Sequence, residues 1–148
     1  MQPRILSEIR SFNRYYTNIL GLLDQHILNS PFSLPEARVL YELSQREGVQ
    51  ASGIIESLGI DKGYLSRMLD QLSLKKLIIR KRSETDGRLM HIYLTEKGRK
   101  EFERLNQASD QQLKDLLGEL SAADNEELCR HMTAITTILM KAQALKEK

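Results

Sequence analysis

Eight basic side chains fall between Asp61 and Arg88: Lys62, Arg67, Lys75, Lys76, Arg80, Lys81, Arg82 and Arg88. Four acidic residues (Asp61, Asp70, Glu84 and Asp86) share the segment, so it carries +4 in a chain whose total is +2, and the remainder carries −2. Cations gathered on one face of an otherwise neutral or acidic body suit a phosphate backbone, where each neutralised phosphate releases counterions and adds affinity. A merely solvated basic face is the plain alternative, and the spacing of the surrounding elements must decide. Other chemistry finds no comparable group. His26, His91 and His131 are scattered without metal-ligand spacing and read as surface or packing residues. No nucleophile–base pair, phosphate loop or metal cluster is present, so no catalytic residue, metal or cofactor is assigned.

The elements that must position these cations follow from hydrophobic period. Residues 4–28 predict one long helix, because Ile5, Ile9, Phe12, Tyr16, Ile19, Leu23 and Ile27 recur at spacings of 4, 3, 4, 3, 4 and 4. Leu6, Tyr15, Leu20 and Leu22 widen that stripe. Ser33 predicts an N-cap with Pro35 in the first turn and Glu36 at the third position, opening a helix through Val39, Leu40 and Leu43 that Gly48 breaks. A short helix follows over about 51–58 and stops at Gly59. Asp61 caps the next, which runs to about Lys75 with Leu65, Met68, Leu69 and Leu72 inward. Leu77 to Arg82 is β-prone, Ser83 to Arg88 is turn chemistry led by Asp86-Gly87, and Leu89 to Leu94 returns as a strand with Met90, Ile92 and Leu94 on one face. Thr95 caps a long helix containing Phe102, Leu105, Leu113, Leu116 and Leu117, and Gly118 interrupts it. Ser121 opens a last helix striped by Leu128, Met132, Ile135, Leu139 and Ala142. Residues 141–148 read as a frayed polar end.

Two short helices joined at a glycine and followed by a basic hairpin form a winged helix-turn-helix pattern. Gly59 supplies the positive φ of the turn, and Ile54, Leu58, Ile60, Leu65 and Met68 occupy the packing places around it. One departure is Ile55, where a small residue is usual at the helix crossing; either the crossing is wider or the register differs by one. The second helix would enter the major groove. Lys62, Gly63, Ser66, Arg67 and Gln71 are expected on its outer face, with Tyr64 near the boundary. Arg67 and Ser66 are the candidates for base edges, since arginine bonds guanine in bidentate fashion, and Lys62 for phosphate. Gly63 suits either close approach to phosphate or tight packing inside the protein. Arg80, Lys81, Arg82 and Arg88 belong to the wing, and an arginine at its tip suits the negative potential of a minor groove. Arg80 and Arg82 could instead only solubilise a strand. Asp86 and Gly87 support the tip, and Asp86 could pair with Arg88.

At Leu65-Ser66-Arg67-Met68-Leu69, Asp86-Gly87-Arg88 and Leu94-Thr95-Glu96-Lys97-Gly98 the sequence resembles the MarR family of bacterial transcription regulators. The resemblance covers essentially the whole chain. It implies a homodimer with intertwined N- and C-terminal helices, two winged lobes on a pseudo-palindromic operator, and DNA binding modulated by an effector. Arg88 matches the wing arginine of that family. A finer similarity runs through Phe12-Asn13-Arg14-Tyr15-Tyr16, Ser33 to Leu43 and Asp61 to Arg67. It points to a subgroup often fused to a C-terminal acetyltransferase domain, of which this sequence carries none.

The expected fold is therefore mainly α with a small β-hairpin: a single winged-helix regulator domain over 1–148. Its DNA-binding lobe is expected at 33–96, with the helix-turn-helix at about 51–75 and the wing at about 77–94. Dimerisation helices are expected at 1–30 and 97–148. Ile5, Ile9, Phe12 and Ile19 on the first, and Leu128, Met132, Ile135 and Leu139 on the last, are the expected dimer contacts, since a lobe of this size does not need both stripes for itself. Arg14, Tyr15 and Tyr16 are the candidate effector pocket, for a small aromatic or anionic ligand. The lone Cys129 excludes an internal disulfide and reads as a small hydrophobe near the dimer contact or as a redox-sensing thiol. No apolar run approaches bilayer length and the start is not a signal peptide, so no membrane partner and a cytoplasmic location are expected. The partner expected is double-stranded DNA. A module for nonspecific DNA coating or protein contact, or the regulatory half of a truncated acetyltransferase fusion, are the alternatives.

Overall fold

The computed structural model describes residues 2–21, 27–84 and 86–146. Contacts divide the chain into two compact units, Met1–Ser109 and Asp110–Lys148. In the first unit, α1 (Pro3–Ile19) starts with Pro3 in its first turn and ends earlier than the sequence predicts. The apolar period continues past Ile19, but Gly21 takes φ 62° and Leu28 φ 54°, which turns the backbone out of the helix. Ile27–Asn29 is a separate 3-10 turn, and Leu22 and Leu23 lie outside the described residues.

α2 (Leu34–Gln45) begins on the predicted cap. Ser33 Oγ accepts the Glu36 N–H at 3.4 Å while Glu36 Oε2 accepts the Ser33 N–H at 2.8 Å. Burial opposes the charge on Glu36. The bonds from the Ser33 N–H, from Lys75 Nζ at 3.2 Å and from the Ser33 hydroxyl, with the attraction of Lys75, outweigh it and hold the carboxyl below its ordinary value. Glu36 thereby joins the start of α2 to the end of the second helix of the helix-turn-helix, and the same Lys75 ammonium lies 5.5 Å over the buried Phe32 ring.

β1 (Val49–Gln50) follows Gly48, which takes φ 67°. α3 (Ala51–Leu58) ends on Gly59 at φ 62°, and α4 (Lys62–Leu74) starts where Asp61 Oδ1 accepts the Tyr64 N–H at 2.9 Å. Ile54 is fully buried and Leu65 and Met68 nearly so, so the helix-turn-helix register holds; Ile55 is half-buried against the same core. α4 closes with Lys76 in the left-handed region at φ 58°. The Lys76 N–H reaches Ser73 O at 2.9 Å and the Leu77 N–H reaches Leu72 O at 3.0 Å, a Schellman end built without glycine.

β2 (Ile78–Arg82) and β3 (Met90–Leu94) form the predicted hairpin, antiparallel from Ile78↔Leu94 to Arg82↔Met90. The sequence reading misses β1, which adds to the outer side of β3 through Val49↔Ile92 and Gln50↔His91. α5 (Glu96–Leu117) has Leu105 buried in the lobe core and Phe102 packed against it, so that core continues past residue 96. Thr95 opens α5 as predicted, accepting the Gly98 N–H on its hydroxyl at 3.0 Å. A Cβ placed on Gly98 would lie 2.0 Å from the Leu77 carbonyl oxygen.

The second unit contains the end of α5 and α6 (Ala122–Ala144), capped by Ser121 accepting the Asp124 N–H at 3.1 Å. α6 is helical through Ala144 where a frayed end is expected from residue 141. Its continuous intrahelical bonding outlasts the apolar stripe.

Two stability outcomes follow. Gly98→Ala should lower unfolding free energy by about 1–3 kcal/mol in urea titration, since the methyl meets backbone rather than a movable side chain. For Glu36, the lowered carboxyl pKa means its contribution is complete above the unfolded value of about 4.3 and is lost as pH falls through the lower folded value. Glu36→Gln should therefore be less stable than the parent at neutral pH, with the difference shrinking below pH ~4; a constant difference down to pH ~2 would sink this account.

Candidate nucleic-acid interface

α4 presents its inner face, Leu65, Met68, Leu69 and Leu72, to the core and leaves Lys62, Gly63, Tyr64, Ser66, Arg67 and Gln71 exposed. Tyr64 is 41% exposed. Gly63 has no neighbouring element. A Cβ there would sit 3.1 Å from Asp61 Oδ1 and 3.7 Å from Arg67 Nη1, and these cap and guanidinium atoms are the nearest. No neighbouring element packs on this glycine, and the Asp61 carboxylate that caps the Tyr64 N–H lies beside it at the helix start.

The wing begins buried and becomes exposed along its length. Ile78, Ile92 and Leu94 are buried, while Ile79 through Arg82 and Met90 are exposed. Its tip is made by polar bonds. The Ser83 N–H donates to Leu89 O at 2.9 Å, the Leu89 N–H to Asp86 O at 2.9 Å, and the Asp86 N–H to Ser83 Oγ at 3.3 Å. Asp86 Oδ1 accepts the backbone N–H of Arg88 at 3.0 Å. The expected Asp86–Arg88 pairing thus runs through the main chain, which holds the tip and leaves the exposed Arg88 guanidinium out of that bond. Gly87 is exposed with open space around it and does not take a left-handed φ, so the turn rests on Asp86 rather than on glycine geometry.

The wing cations differ in their surroundings. Arg80 Nη2 lies 2.7 Å from Asp70 Oδ1 on α4, an ion pair the sequence reading missed. Lys81 Nζ lies 5.4 Å over the Tyr93 ring. Arg82 and Arg88 are exposed at the outer end and the tip. The cations of α4 and of the wing all lie within the first unit.

The remaining candidates sit elsewhere. On α1, Ile5, Ile9 and Phe12 are exposed, Ile19 is half-buried, and Phe12 stacks on Tyr16 with ring centroids 5.4 Å apart. Arg14 and Tyr15 are exposed on the same helix and Tyr16 is half-buried. Also within the first unit, an apolar groove of about 200 Å³ opens beside the 3-10 turn, lined by Leu28, Leu34, Arg38, Tyr41, Phe102 and Leu105. On α6 of the second unit, Met132, Ile135 and Leu139 are exposed and Leu128 is half-buried, with Cys129 exposed beside it. His91 Nδ1 donates to the Gly48 carbonyl at 2.7 Å and His131 lies 3.3 Å from Glu127, while His26 lies outside the described residues. Among the described residues, no helix is long and apolar enough to cross a membrane and no histidine, cysteine and carboxylate group is arranged for a metal.

Comparison with known proteins places this geometry. The family model "Transcriptional regulator SarA/Rot" matches residues 25–105. The HTH-type transcriptional regulator MgrA of Staphylococcus aureus is 33% identical over 101 residues, which are 68% of this chain and 65% of MgrA. The chain thus spans about two thirds of the length of that curated relative. Among solved structures, the MarR family transcription regulator SP03579 superposes with a TM-score of 0.79 at 17% identity, covering 93% of this chain and 91% of the other. The transcriptional repressor CouR, bound to a 23-mer DNA duplex, superposes with a TM-score of 0.73 at 26% identity, covering 93% and 98%.

Proposed function

This chain belongs to the SarA/Rot family of transcriptional regulators and has the winged-helix fold of MarR regulators, and from that premise we propose that it binds double-stranded DNA in a sequence-specific way as a homodimer. The observation that carries the reading is the exposed face of α4 beside an arginine-tipped wing, both within the segment of net charge +4. Arg67 and Ser66 read base edges in the major groove, with Gln71 and Tyr64 flanking them. Lys62 takes phosphate, with the exposed backbone at Gly63 beside it. Arg88 enters the adjacent minor groove and Arg82 follows the backbone.

Exposed apolar residues on α1 and α6 support the dimer. Ile5, Ile9 and Phe12, and separately Met132, Ile135 and Leu139, leave apolar side chains in water at helical spacing, which a second copy would cover. With a second copy bound, Ile19, Leu128 and Cys129 join that contact, and the two lobes read half-sites about 34 Å apart. The whole chain then works as one regulator domain in the cytoplasm, with no catalytic role. A small aromatic or anionic effector acts through the region of Arg14, Tyr15 and Tyr16. The apolar groove that contains Arg38 is the second place where such a ligand finds both ring contacts and a cation.

Selection of bound sequences from a random DNA pool at fixed salt should enrich a palindrome with half-sites one helical turn apart; a pool that stays random would overturn the reading. On the selected site, Arg67→Ala should cost about 1–3 kcal/mol and relax preference at one position in each half-site. Equal loss on selected and random DNA would remove Arg67 from base reading. Arg88→Ala should weaken both DNAs and lower the dependence of log affinity on log salt by about one per wing.

A further inference from the structure

We propose that Asp70 and Arg80 are positioning residues that fix the wing against the recognition helix, so that an acidic side chain on the DNA-facing surface strengthens specific binding. The inference rests on the DNA-binding reading above and assigns Arg80 a role other than phosphate contact.

The geometry is local. Arg80 pairs with Ile92 in the hairpin register and shares its sheet face with Ile78 and Arg82. Ile78 and Ile92 are buried, and beyond them the described wing side chains are exposed except the half-buried polar His91 and Ser83. Apolar packing therefore stops at the base of the hairpin. The Arg80–Asp70 bond, at 2.7 Å, is the one ion pair between α4 and the wing among the described residues, and it lies where that packing ends. Both partners are partly exposed, so the pair adds little to folding. Its effect lies in order before binding. Arg67 on α4 and Arg88 on the tip must meet two different grooves, and a hairpin free to swing about its base loses affinity when it is immobilised.

The sign of the effect separates this from plain electrostatics. Asp70 is a negative charge among cations that face phosphate. If it only repels DNA, Asp70→Asn should tighten binding to every sequence, and the released Arg80 should add a phosphate contact and steepen the salt dependence. If Asp70 positions the wing, the same substitution should weaken binding to the selected site roughly tenfold, a coupling ordinary for residues in contact. Binding to random DNA should stay constant or tighten, because a loose wing can still follow any backbone. Asp70→Glu, which keeps the carboxylate, should recover most of the preference, and the exchange Asp70→Arg with Arg80→Asp should recover part of it.

The test measures three quantities on the full chain. Urea midpoints of parent and Asp70→Asn should agree. Amide hydrogen exchange across 83–90 in the DNA-free protein should quicken in Asp70→Asn and return to the parent rate in Asp70→Glu. The ratio of selected-site to random-site affinity should fall about tenfold in Asp70→Asn. Unchanged exchange in the wing overturns the proposal whatever the DNA result, as does tighter binding of both DNAs. A parent protein that prefers no sequence refutes the regulator reading instead, and the exchange measurement still decides whether Asp70 orders the wing.

Discussion

The corner where α4 turns into β2 is the constraint on which the exposed basic surface of α4 and the wing depends. Three consecutive carbonyls there are taken by the start of α5. Lys97 Nζ donates to Lys75 O at 2.9 Å, the Thr95 hydroxyl to Lys76 O at 2.8 Å, and the Thr95 N–H to Leu77 O at 3.0 Å. These carbonyls close a helix whose own bonding has run out, and Lys97 adds a cation at the negative end of the α4 dipole. Gly98 is what permits the approach, since its missing Cβ leaves room for the Leu77 carbonyl. The Leu-Thr-x-x-Gly run at Leu94 is therefore a packing device. It locks the end of α4, both strands at the wing base and the start of α5 into one piece.

Charge is arranged around that corner in two ways. At the wing tip and at the start of α4, the fold holds the backbone and spares the side chain. Asp86 bonds the Arg88 N–H, and Asp61 bonds the Tyr64 N–H beside Lys62. Where elements must be tied, oppositely charged side chains meet across them, as in Glu36 with Lys75 and Asp70 with Arg80. The segment of net charge +4 thus contains cations of two kinds, and a count of basic residues does not distinguish them.

What could be read from the sequence was mainly local. The Ser33 and Asp61 caps, the Gly59 turn and the buried face of α4 each involve residues within four positions of one another, and their side-chain types carry the reason. The features that escaped are set by distant residues or by backbone geometry. β1 is two residues long and exists only through its pairing with Ile92 and His91. Arg80 was legible as a basic strand residue, but its partner is ten positions away on another element. The N-terminal stripe kept helical period through Gly21, whose positive φ ends the helix that the stripe implies. Asp86 and Arg88 were legible as a supported tip, but spacing does not say whether a carboxylate takes a guanidinium or the main-chain N–H beside it.

The contrast between the wing's two ends explains why its outer half rests on polar bonds. A buried apolar anchor such as Ile78 or Leu94 holds a strand in place through many weak contacts and resists opening as strongly as the core does. Extending that anchor to the tip would require apolar side chains on a surface that is exposed and basic. The chain instead uses Ser83, Asp86 and the Arg80–Asp70 pair, whose directional bonds set orientation while covering little area. Such bonds contribute modestly to stability in water, so the outer wing should open locally far more easily than the base. Its order is then sensitive to single side chains, and the same residues that leave the global fold nearly unchanged can alter how α4 and the wing are held.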